Sequence, residues 1–353
     1  MTEFKHQDGL TLIEVLVAMI VSLFLLGGIV QVYIGNKSTY QFADASSRLQ
    51  ETGRFALDTI TTDLRRAGTW GCIGIQSDRD NDGDLTDDNE HIQNHLNNGS
   101  VNYQNNLHNI INTPPVTATV DDGPNGSDSI TMTGIRPGTV TFTANLTSPG
   151  TDDIQVTGNE IFQEGDIVLI TNCITADIFE ASSVSDDGTV ISHTLFAPTE
   201  TPGNTNLAQN KCSGTGHCLM APSDQAYTAN NSAAFVLQSI TYSIQVNDGV
   251  PALWRSVDGD DQELVEGVEQ MQVLFGVDTD DDRMTDQYMP SNLVPNPRQI
   301  ISVRIWLVVR SDTDFTLENR QTYILDSPEE IEAPDLRLRQ VFSSTIALRS
   351  QAG

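Results

Sequence analysis

The chain has 353 residues, enough for one large or two ordinary domains, and its 38% hydrophobic content excludes a disordered chain. A formal charge of -30 with only 18 Lys and Arg excludes a nucleic-acid partner, because phosphate contacts need clustered cations. Acidity of this kind sets solubility and association and names no partner by itself.

The polar start MTEFKHQDG is followed by LTLIEVLVAMIVSLFLLGGIV, 21 residues from Leu10 to Val30 with one charge. As a helix rising 1.5 Å per residue, that run spans a hydrocarbon core of roughly 30 Å. A secretory signal peptide has a shorter apolar stretch with its cleavage site behind it. Here the expected scissile point lies in front. Glu14 sits inside the run, where an ionised side chain costs about 2.5–3.5 kcal/mol, so it calls for a partner or a function.

Gly9-Leu10-Thr11-Leu12-Ile13-Glu14 resembles the processing site of type IV prepilins and type II secretion pseudopilins. The resemblance implies that a prepilin peptidase cuts after Gly9, that the amine of Leu10 is methylated, and that Glu14 pairs with a neighbouring subunit's terminal amine. Buried together, an ammonium and a carboxylate offset each other's desolvation and reward only the stagger in which they meet. Leu10 stands where the family more often has Phe, and an apolar side chain is kept. With Glu3 and Asp8 against Lys5 in the leader, orientation rests on the motif rather than on charge.

Residues 1–9 are thus the expected leader, 10–34 the transmembrane half of a long helix and 35–68 its amphipathic half. Phe42, Ala45, Leu49, Ala56, Ile60, Leu64 and Ala67 recur at helical steps and predict packing against the protein's own globular part. Gly68 is the expected stop.

Residues 69–353 form the expected β-rich globular domain, periplasmic or extracellular. Its predicted strands are Ser129 to Thr133, Thr139 to Thr143, Asp166 to Thr171, Phe235 to Val246, Met271 to Val277, Gln299 to Val309 and Val341 to Leu348. Between them, Asp78 to Asp122 is a polar, Asn-rich excursion. The expected class is α+β: a long N-terminal helix packed on an antiparallel β-sheet with long loops.

The helical stretches Arg48 to Leu57, Asp63-Leu64-Arg65 and Gly71-Cys72 resemble PilW-type minor pilins of the type IV pilus, as do Gly276 to Asp280 and Arg339 to Arg349. The resemblance implies a pilin-like fold and a minor pilin that helps to initiate pilus assembly, at or near the tip. Its partners would be prepilin peptidase and the other minor and major pilins, and its location the inner membrane and then the pilus. A type II secretion pseudopilin and a pilus-borne adhesive module are the alternatives.

Asp78, Asp80, Asp82, Gly83 and Asp84 match the first half of a calcium loop, in which alternate carboxylates converge on one hard cation and glycine permits the turn. The twelfth position is Asn89, with Glu90 one place late. A second run, Asp278, Asp280, Asp282 and Asp286, keeps the alternate spacing but has Arg283 where the glycine should be. Calcium is the expected cation.

Cys72, Cys173, Cys212 and Cys218 contain no CxxC pair for zinc or a redox dithiol, and outside the cytoplasm they predict disulfides. Four cysteines allow three connectivities. Joining Cys212 to Cys218 closes a small loop and leaves Cys72 with Cys173. No nucleophile elbow, P-loop or zinc-protease motif occurs, and His91 and His95, four apart, read as a surface pair. The chain is expected not to be an enzyme.

Overall fold

The computed structural model describes residues 12–72, 92–94, 96, 114–138, 140–147, 153–158, 161–194, 204, 219, 227–229, 231–280, 282–314, 316–326 and 329–348. Two compact units divide the chain: Met1–Glu51 with Arg310–Gln340, and Thr52–Val309 with Val341–Gly353.

A single helix, α1 (Leu12–Leu64), runs without proline for 53 residues, about 80 Å at 1.5 Å per residue. Its apolar first half, in the first unit, is exposed throughout. In the second unit Ala56, Ile60 and Leu64 are fully buried, and each large side chain contributes about 1.5–3 kcal/mol. The buried stripe begins later than its sequence period suggests. Phe42 is 45% exposed because it precedes the packed segment. The chain turns after Leu64, and Gly68 adopts φ +70° while its N–H bonds the Thr133 carbonyl at 2.9 Å.

Also in the first unit, β16 (Thr322–Ile324) and β17 (Glu330–Glu332) form a short hairpin. Nearby, Arg339 is almost fully buried and its guanidinium bonds Asp335 at 2.6 Å.

The second unit is strand-rich. In chain order its first strands are β1 (Ile92–Asn94), β2 (Val116–Gly123), β3 (Ser127–Ile135), β4 (Val140–Thr141), β5 (Ile154–Gln155), β6 (Ile167–Thr171), β7 (Ala176–Glu180), β8 (Ser183–Val184) and β9 (Val190–Ser192). They are followed by β10 (Ala233–Asn247), β11 (Val250–Val257), β12 (Asp260–Glu266), β13 (Val268–Val277), β14 (Gln287–Met289), β15 (Ile300–Arg310) and β18 (Arg339–Ala347), the last two reaching its boundary with the first unit.

The 15-residue β10 is the spine of the larger sheet. Its first half pairs with β4 and β6, its second half with β3 and β11, all antiparallel. Pairing between β1 and β7 is parallel. Both faces of β6 are covered, which explains why Ile167–Thr171 is uniformly apolar up to its last residue. Val168 and Ile170 face a core with Phe142, Phe179 and Tyr227, while Ile167 and Leu169 face another with Trp70, Ile178 and Phe235.

A second sheet has the order β14-β13-β15-β18. The Asp128 carboxylate ties it to the first, accepting from the N–H of Asp121 on β2 at 3.0 Å and of Val273 on β13 at 2.8 Å. Burial raises the pKa of Asp128 against the lowering by those two bonds. The α+β arrangement of one long apolar helix and antiparallel sheets is the one the sequence pattern implies.

Candidate functional site

Gly9 and Leu10 lie outside the described residues, and Glu14 stands in the first turn of α1. Leu12 to Val30 present apolar side chains on every side of the helix, long and apolar enough to cross a membrane. Two hydroxyls bond back to the helix, Ser22 to the Ala18 carbonyl at 2.7 Å and Thr39 to the Gly35 carbonyl at 2.9 Å. Among the described residues nothing lies within 4 Å of a Cβ built at Gly27, Gly28 or Gly35. This half of the helix can therefore meet lipid or other helices over its whole circumference.

In the second unit the last turns of α1 carry a polar anchor that the sequence reading did not single out. Asp63 shares the apolar stripe with Ile60 and Leu64 and is itself buried. Its Oδ2 accepts from the Tyr242 hydroxyl of β10 at 2.7 Å and from Arg255 Nε of β11 at 3.0 Å. Arg255 Nε also lies 3.2 Å from the Tyr242 hydroxyl oxygen. Burial, and then the Asp63 carboxylate, raise the Tyr242 pKa, so the phenol stays protonated and donates. A lone acid on a buried stripe is the signal that sequence offered; its partners lie 179 and 192 residues away.

Two glycines and a disulfide complete this docking. A Cβ at Gly53 would run into the Phe342 ring, and one at Gly134 would meet the Arg66 carbonyl at 2.9 Å. Just past the helix, Cys72 is bonded to Cys173 in the turn between β6 and β7. Cys173 takes φ +67°, held by Thr171 Oγ1, which accepts its N–H at 3.0 Å. Cys212 and Cys218 lie outside the described residues, as do His91 and His95.

Of the two acidic runs, Asp78, Asp80, Asp82, Asp84 and Glu90 also lie outside the described residues. The other is held at the β13–β14 hairpin, where Asp278, Asp280 and Asp286 bring carboxylate oxygens within 4.8 Å of one another. Asp282 is not part of that group, and its carboxylate accepts the Met284 N–H at 2.7 Å. Asp278 is buried and accepts the N–H groups of Asp280, Asp282 and Arg283. Arg283, at the place expected for glycine, adopts φ +68°, the left-handed turn that glycine makes more cheaply. Repulsion from Asp282, then burial and Asp286, raise the pKa of Asp280, whereas bonds from Thr279 lower that of Asp286. Three oxygens of this kind could hold a metal ion.

Comparison with known proteins adds two matches. The family model described as type IV pilus-assembly protein W, PilW, matches residues 241–350, from the second half of β10 through β18. A prokaryotic N-terminal methylation motif matches residues 4–30, which include Gly9, Leu10 and Glu14. No curated protein and no solved structure matches the chain.

Proposed function

We propose, from the premise that this chain is a type IV pilin-like protein of the PilW kind and a type IV pilus-related minor pilin, that it is an assembly subunit that helps to start the filament. The observation that carries this is α1 itself. Its first half is apolar all round with one acid in its first turn, and its last turns are docked on the sheets.

In this reading prepilin peptidase cuts after Gly9, the amine of Leu10 is methylated, and Glu14 meets the terminal amine of the next subunit. The chain waits in the inner membrane on its single helix before it joins other pilins. Mass spectrometry of the mature N-terminus in peptidase-competent cells tests it. A chain starting at methylated Leu10 is expected, and one starting at unmodified Met1 sinks the proposal.

A second reading concerns the β13–β14 hairpin. Asp278, Asp280 and Asp286 converge closely enough to bind a hard cation, and calcium is the one proposed, taken at their carboxylate oxygens.

A further inference from the structure

The four-stranded sheet ends on β18, whose backbone is paired on one side only among the described residues. Leu348 N–H donates to the Ile301 carbonyl at 2.9 Å, and Arg304 Nε bonds the Thr345 hydroxyl at 3.1 Å with the same offset between strands. Backbone groups facing one neighbour in an antiparallel ladder recur at every second residue. Phe342, Ser344, Ile346 and Leu348 therefore turn their N–H and C=O groups to β15. Those of Val341, Ser343, Thr345 and Ala347 point the other way, and among the described residues no hydrogen bond reaches them.

Open edges template strand pairing, and chains blunt them with charge, proline or shortness. The other described edges of these sheets follow that rule. Asp260, Asp261, Glu263 and Glu266 lie on β12, Asp121 and Asp122 on β2, while β1 and β14 have three residues each. At the start of β18 the fold closes the gap itself. The Gln321 amide donates to the Arg339 carbonyl and accepts the Arg339 N–H, both at 2.9 Å. From Gln340 to Leu348 there is then no charge and no proline.

We infer that the free edge of β18, from Val341 to Ala347, is a strand-addition site for an extended segment of a different protein. Backbone pairing supplies the affinity and alternate side chains the selectivity. One set of the added residues extends the face of Phe342 and Ile346 and is apolar. The other lies beside exposed Ser343 and Thr345 and is polar. A second copy is a poor occupant, since each chain carries a formal charge of -30 and two would repel. The fitting segment is neutral or basic.

The test uses the full-length protein in detergent and a nine-residue peptide of alternating Val and Thr with Lys at each end, beside its Glu-ended twin. Amides 341, 343, 345 and 347 of the protein alone should exchange about tenfold or more faster than 342, 344 and 346, and the Lys-ended peptide should protect them. Ser343→Pro removes an N–H that bonds nothing among the described residues, a position where edge strands tolerate proline. It should keep the wild-type melting temperature and lose peptide binding about tenfold or more; Thr345→Pro serves the same purpose if it does not fold. Slow exchange at the four amides in the isolated protein overturns the inference. So does failure of the Lys-ended peptide to bind, undiminished binding to a folded proline variant, tighter binding of the Glu-ended peptide, or self-association that the proline removes.

Discussion

A carboxylate at position 280 is harder to ionise beside Asp282 and Asp286 than it is in the unfolded chain, so its folded pKa lies above the ordinary value. The folded state then holds the proton more tightly, and this group's contribution to stability grows as pH falls from the raised value toward the ordinary one. A bound cation reverses the preference because it favours the ionised form. Thermal melts should therefore show calcium raising the melting temperature by about 2 °C or more near neutral pH and less in acid. Asp280→Asn should remove most of that gain and flatten the pH dependence in metal-free buffer. An equal calcium gain in the variant would place the cation elsewhere.

Among elements, α1 and the long strands were legible because each repeats its pattern over many residues. The 3.6-residue stripe ends in Ala56, Ile60 and Leu64, and the runs at 166–171, 235–246, 271–277 and 299–309 each fall on a strand, β6, β10, β13 and β15. The β11–β12 hairpin was missed because Asp260–Glu266 is too polar to read as a strand. Its Asp258-Gly259 turn, like Asp248-Gly249 between β10 and β11, takes positive φ at both residues and was the available signal. Strands of two or three residues, such as β5 and β8, are shorter than any period. The polar anchor of α1 was hidden for another reason: it depends on sheet register, which sets Ser243 opposite Trp254 and so Tyr242 opposite Arg255. Asp63→Ala should cost about 2–3 kcal/mol, below the usual loss for a broken buried pair because Arg255 remains a quarter exposed. Tyr242→Phe should cost about 1 kcal/mol. Urea midpoints check both, and a double variant should lose less than the two losses added.

At the scale of the molecule, the sequence placed a membrane-length helix ahead of a β-rich domain, and the matches to PilW and the methylation motif fall at its two ends. It did not divide residues 310–340 from the strands on either side, because compactness depends on contacts that composition does not encode. The disulfide belongs to this scale, since Cys72 and Cys173 are 101 residues apart. Replacing both with Ser should lower stability by about 2–5 kcal/mol, the usual range for a native bridge, and the denaturant midpoint measures it. A shift below about 0.5 kcal/mol would mean that the helix end is held by packing alone. The bridge also has a mechanical consequence. Tension running along α1 can cross from Cys72 to Cys173 through a covalent bond and continue into β7. The covalent path bypasses β2, β3 and β6, so pull delivered at Cys72 is not carried along those strands from end to end.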